Sequence, residues 1–221
     1  TDLMVEINSI ISQYVEMEPH KVNALKESLR FDISAIDFDL LRREFANSKR
    51  KNLIMRDLEE VIQDKLDQMI FTNPDRIDYY ERYQQIINNY NSDQDRATIE
   101  KTFMDLMDLA NKMDQELQRY AREGFSSDEE LSLYDMLFRD DLSKSEINKL
   151  KDVAAILLQK IKAKISELDH WTDKPETKAE VDNLIRDTLW AELPECYDEL
   201  SISEYRQRIY EYVYMHYKGV A

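Results

Sequence analysis

The sequence predicts an all-α fold, an irregular multi-helix assembly of roughly ten helices with no repeats. Three observations carry that expectation. Only two glycines, Gly124 and Gly219, and four prolines punctuate 221 residues, so long stretches contain nothing that would stop a helix. Apolar residues recur at three- and four-residue spacing through most of the chain, with polar residues on the remaining positions. A charged fraction of 34% beside a hydrophobic fraction of 43% suits helices with one wet and one buried face.

The elements follow in order. Leu3, Ile7, Ile10 and Tyr14 stripe a first helix near Asp2 to Glu16, and Pro19 opens a shorter one with Val22, Leu25 and Leu29. The pattern breaks from Arg30 to Ile36, after which Asp37 can cap a helix carrying Phe38, Leu41 and Phe45. A long helix from about Asn52 to Phe71 shows Leu58, Val61, Ile62, Leu66, Met69 and Ile70. Asn73 and Pro74 form an N-cap and first-position pair for the next, which shows Ile77, Tyr80, Tyr83, Ile87 and Tyr90. From about Asp95 to Glu123 the spacing predicts one unbroken helix, ended by Gly124 in a left-handed C-cap. Ser127 to Glu130, Ser143 to Glu146 and Ser201 to Glu204 each read S-x-x-E, the capping-box pattern, and each is expected to start a helix. Between the last two, Pro175 starts a helix with Val181, Leu184, Ile185 and Leu189, and Pro194 ends it.

Composition narrows the chemistry. Phosphate-cradling loops need glycines at close spacing, and two glycines ninety-five positions apart supply neither a P-loop nor a dinucleotide fingerprint. A formal charge of -16 opposes general attraction to nucleic acid. The one cysteine, Cys196, permits no internal disulfide and fits a reducing compartment. Three scattered histidines cannot close a zinc site with it, and Glu167-x-x-His170 stands without the second such pair that a di-iron bundle needs. Pro74-Asp75 and Glu176-x-Lys178 mimic a magnesium nuclease motif, but acids at helix starts answer to capping and the helix dipole. No catalytic, cofactor-binding or metal-binding residue is therefore expected. There is neither a membrane-length apolar run nor a leader peptide, and Thr1 in first place is read as a sign that residues precede it.

Two features stand out. Arg42, Arg43, Lys49, Arg50 and Lys51 gather five cations against one local carboxylate, Glu44. They suit either a solvated helix end, with cations near a C-terminal dipole, or a phosphate contact. On the last helix Tyr205, Tyr210, Tyr212, Tyr214 and Tyr217 help spread aromatic and apolar residues over an arc of about 200°. Such a helix is either wedged between two neighbours or offers an aromatic face to a protein partner, where tyrosine is enriched.

Several strings go further: Ser48-Lys-Arg-Lys-Asn52, NPDRIDYYERYQQIINNYN at 73–91, DRATIEKTF at 95–103, EGFSSDEELSLYDML at 123–137, LDHWTDKPETKAEVDNLIRDTLWAELPECY at 168–197 and YRQRIYEYVYMHY at 205–217. Together they resemble the C-terminal helical region of type I restriction enzyme R subunits, over roughly residues 36 to 217. The resemblance implies a bacterial cytoplasmic protein whose nuclease and two ATP-hydrolysing motor domains lie upstream, with ATP and magnesium bound there and no cofactor in this part. The nuclease carboxylates and Walker motifs of that family have no matching positions, so no catalytic residue carries over. It implies a helical support region beside the motor over 1–123 and a docking region over 124–221, together one continuous helical unit. The implied partners are the modification and specificity subunits of the methyltransferase core and the chain's own upstream motor domains. Tyr205, Tyr210, Tyr214, Tyr217, Trp171 and Trp190 are the candidates for docking. Arg42, Arg43, Lys49, Arg50 and Lys51 are the candidates for a local DNA contact, the alternative role being a guide for nucleic acid beside the motor.

Overall fold

A computed structural model describes residues 38–92 and 96–218, with the side chains of 96–98 set aside; among these residues it contains nine α-helices, one 3-10 turn and no strand. The expected helices at Asp2 to Glu16 and after Pro19, and the Asp37 cap, lie outside the described residues. The chain parts into two compact units between Arg119 and Tyr120.

The first unit holds α1 (Phe38–Asn47), α2 (Lys51–Thr72), a 3-10 turn (Pro74–Arg76), α3 (Ile77–Ser92) and α4 (Arg96–Leu117). Asn73 accepts a hydrogen bond from the Asp75 amide at 3.1 Å and Pro74 takes the first position, so the anticipated cap is present. It opens the 3-10 turn that passes directly into α3. On α4, Phe103, Leu106, Ala110 and Met113 make one buried stripe, while Thr102, Leu109 and Glu116, seven residues apart, make a second beside it. Two stripes are needed because α4 packs against both α2 and α3. Phe45 of α1 stacks on Phe103 with ring centroids 3.7 Å apart and closes the core against Met55, Leu58 and Ile62.

The second stripe ends on a charge. Glu116 is 8% exposed and receives Arg76 Nε at 3.1 Å and Arg119 Nη1 at 3.0 Å, with Arg76 itself 2% exposed. Neither buried charge could stay in the core without the other.

The helix expected over Asp95 to Glu123 is interrupted: α4 stops at Leu117, Gln118 forms a turn, and α5 runs Arg119–Glu123. No glycine or proline marks the break. Residues up to Leu117 belong to one core, whereas Tyr120 packs against the other, and this change of allegiance interrupts the ladder. Gly124 then adopts φ +85°, with Phe125 N–H bonded to the Tyr120 carbonyl at 2.8 Å and Gly124 N–H to Ala121 at 3.3 Å, a Schellman ending.

The second unit continues with α6 (Asp128–Leu137), α7 (Lys144–Glu167), α8 (Pro175–Glu192) and α9 (Glu199–Tyr217). Each packs on the next and α9 returns to α6, making a ring of four antiparallel neighbours with short connections. The helix α6 is buried nearly all round, from Glu130 through Tyr134 and at Met136 and Leu137. It meets Leu150, Leu157 and Ile161 of α7 and Ile209 and Val213 of α9 in one core.

The three S-x-x-E strings behave differently. Ser143 and Glu146 make the full reciprocal box at the start of α7. Ser127 caps α6 by accepting from Glu130 N–H, but the Glu130 carboxylate accepts from Ser126 N–H, one residue earlier. Ser201 does not cap α9 at all. That helix starts at Glu199, because Asp198, an N-cap at least as strong as serine, lies three residues earlier and accepts from Ser201 N–H at 2.8 Å.

Candidate functional site

The aromatic arc of α9 is largely answered inside its own unit. Trp171, in the connection before α8, is 1% exposed and donates its indole N–H to the Tyr217 carbonyl at 3.1 Å. Tyr210 and Tyr214 meet its ring edge-on, with centroids 6.4 and 5.8 Å away. The Tyr217 hydroxyl donates to Glu129 Oε1 of α6 at 3.1 Å, and the other Glu129 oxygen pairs with Lys162 of α7. Burial, first, and the Glu129 carboxylate, second, push the Tyr217 phenol far above its ordinary range. Tyr205 packs edge-on against Tyr197 at 5.7 Å, and the Tyr197 hydroxyl donates to the Leu137 carbonyl at 2.6 Å. The arc is wide because α9 wedges between α8 and α6. The wedge accounts for the width of the arc, Tyr205, Tyr210, Tyr214 and Tyr217 keep part of their surface exposed, and Trp171 lies in the core.

Trp190 stands apart. It lies in the last turn of α8 with 52% of its surface exposed, on the face opposite Val181, Ile185 and Leu189. Two further apolar residues accompany it at the same end of the unit: Phe138, just after α6 and 39% exposed, and Leu200, in the first turn of α9 and 70% exposed. The connections that carry them are pinned together by Arg139 Nη1 on the Cys196 carbonyl at 3.1 Å, in addition to the bond from Tyr197. Exposed carboxylates surround this end, among them Asp140, Glu195, Asp198 and Glu199. Sequence reasoning missed Phe138 and Leu200. Placing Leu200 on the face of α9 opposite Ile202 and Ile209 would have found it.

The basic residues of the first unit are not equivalent. Lys51 Nζ pairs with Glu100 of α4 at 2.7 Å and lies 5.2 Å from the centroid of the Phe45 ring, so its charge is spent on tying α2 to α4. Arg43 donates from Nε to the Asp39 carbonyl at 3.2 Å. Arg42, Lys49 and Arg50 are exposed and, among the described residues, meet no carboxylate at ion-pair distance. Ser48, Lys49, Arg50, Lys51, Asn52 and Ile99 line one shallow groove. Arg50 is the N-cap residue of α2 and supplies no capping side-chain bond, and the first turn has no acid. Lys49 and Arg50 thus lie between two helix ends, just past the C-terminal end of α1 and at the N-terminal end of α2, and Lys51 opens α2, where a cation is disfavoured.

The remaining reactive groups lie at scattered positions along the chain. His170 is exposed with φ +46° beyond the end of α7, and His216 bonds through Nδ1 to the Tyr212 carbonyl at 2.8 Å. The Cys196 thiol is raised by desolvation, and then by the Glu146 carboxylate, away from its nucleophilic form. Asp75 lies in the first unit and Glu176 and Lys178 in the second, each pair at a helix start. Among the described residues no three His, Cys, Asp or Glu side chains gather as metal ligands would, and no helix is long and apolar enough to cross a membrane.

No curated protein and no solved structure matches the chain. A family model described as Type I restriction enzyme HindI endonuclease subunit-like, C-terminal, matches residues 1–209.

Proposed function

We infer a docking role for this chain, which belongs to the type I restriction enzyme HindI endonuclease subunit-like C-terminal family. It is a non-catalytic helical module that holds an ATP-dependent DNA translocase and nuclease, built from upstream domains, on the methyltransferase core of modification and specificity subunits. ATP and magnesium serve the upstream domains alone. The observation that carries this reading is the apolar end of the second unit. Trp190, Phe138 and Leu200 stay in water there although the same unit buries Trp171 and satisfies the phenols of Tyr197 and Tyr217. An exposed tryptophan at the same end as an exposed phenylalanine and leucine has the composition of an interface anchor, and the acidic rim favours a partner surface carrying Lys or Arg. Tyr205, Tyr210 and Tyr214 serve by supporting α9 from behind, half-buried against the core.

Titration calorimetry of the chain against the assembled methyltransferase core tests the reading. Binding in the micromolar range or tighter is expected, with Trp190→Ala weakening it by about tenfold or more. Absence of heat and of pull-down at tens of micromolar would reject docking by this module. Undiminished binding by the Trp190→Ala and Leu200→Ser variants would move the interface elsewhere on the chain.

A further inference from the structure

A second surface, in the other unit, follows from charge. We propose that Arg42, Lys49 and Arg50 form a sequence-independent contact for the sugar-phosphate backbone of duplex DNA. The three are exposed, belong to one helix and the connection that follows it, and face no carboxylate at ion-pair distance among the described residues. Other exposed cations of this unit do meet carboxylates: Arg56 lies beside Glu60, and Arg82 and Lys112 share Asp108 at 2.8 and 2.9 Å. In a chain with a formal charge of -16, three exposed cations within nine positions, without an ion-pair partner among the described residues, give this stretch a local positive charge.

The groove that Lys49 and Arg50 line specifies the ligand class. Ser48 and Asn52 add a hydroxyl and an amide to Lys49 and Arg50, groups that donate to phosphate oxygens. No exposed aromatic ring lines it, since Phe45 is buried against Phe103 and covered by Lys51. A single-strand site would need such rings for base stacking. Without stacking rings among its lining residues, the contact reads backbone charge and not base edges. The acidic remainder repels the duplex and so limits contact to this edge. The surface belongs to the first unit and the apolar end to the second, and the inference stands whether or not docking occurs there.

The test is duplex binding by the 221-residue chain, followed by fluorescence anisotropy as salt rises. Weak binding at low salt is expected, with a slope of log affinity on log salt of about -2 to -3, since each neutralised phosphate contributes about -0.9. In R42Q/K49Q/R50Q the slope should collapse towards zero and low-salt affinity should fall by about tenfold or more. The equal-charge control R56Q/R82Q/K112Q should bind like the parent, and circular dichroism must show that both variants keep their helices. Three results would overturn the proposal: no binding at low salt, equal loss in the control variant, or competition by polyglutamate matching that of duplex at equal charge. Single strands binding more tightly than duplex would overturn it as well.

Discussion

At the residue scale, the decisive side chains are those whose partners lie far away in sequence. Five cations stand within ten positions, yet only the fold separates Lys51, held by Glu100 forty-nine residues later, from Lys49 and Arg50. No pattern in the sequence marks that difference, whereas the identity of the cluster was legible. The same holds for Glu116, which reads as one more acid in an acidic helix but neutralises two guanidiniums, Arg76 being fully enclosed. Glu116→Gln leaves those charges uncompensated and should lower stability by about 3 kcal/mol, read by urea denaturation. Asp67 on α2 shows the opposite economy: desolvation, then the neighbouring Asp64 carboxylate, raise its pKa to about 6. A raised pKa means that the folded state holds the proton more tightly, so this residue supports stability below about pH 4 and that support is lost as pH climbs through 6. Because Asp67 keeps a substantial share of solvent, the loss amounts to about 1 kcal/mol. Asp67→Asn should flatten that part of the stability profile and leave the variant the more stable at pH 8.

At the element scale, most helices were legible because period and punctuation agreed. Asn73 with Pro74, the Ser143–Glu146 box and Gly124 all stand where the local chemistry puts them. Two boundaries were not legible. The interruption at Gln118 comes from a helix serving two cores, a tertiary cause with no breaker residue. At α9 two capping signals overlapped, and Asp198 took the role that Ser201 was expected to fill. Asp198→Ala should therefore cost about 1 kcal/mol in thermal or urea unfolding, while Ser201→Ala should cost no more than a few tenths. Equal effects would show that the start of α9 shifts between the two residues. The width of the aromatic arc, ambiguous in sequence, resolves because α9 has neighbours on both sides.

At the scale of the whole molecule, two cores that share no buried residue should give two unfolding events. Calorimetry on the whole chain should show them, with Glu116→Gln moving one transition and Asp198→Ala the other. The family match runs to residue 209, but the second core does not stop there: Tyr212 and Val213 are buried and Tyr217 holds Trp171 and Glu129. Ending the chain after Ile209 should abolish the transition of the second unit and leave that of the first. The two tryptophans then acquire an optical use. Trp171, sealed beneath the C-terminal turn, should emit in the blue and resist acrylamide, while Trp190 should emit in the red and quench freely. One chain therefore carries a fluorophore that reports whether the second unit is folded and another that reports whether its exposed end is covered, with no label attached.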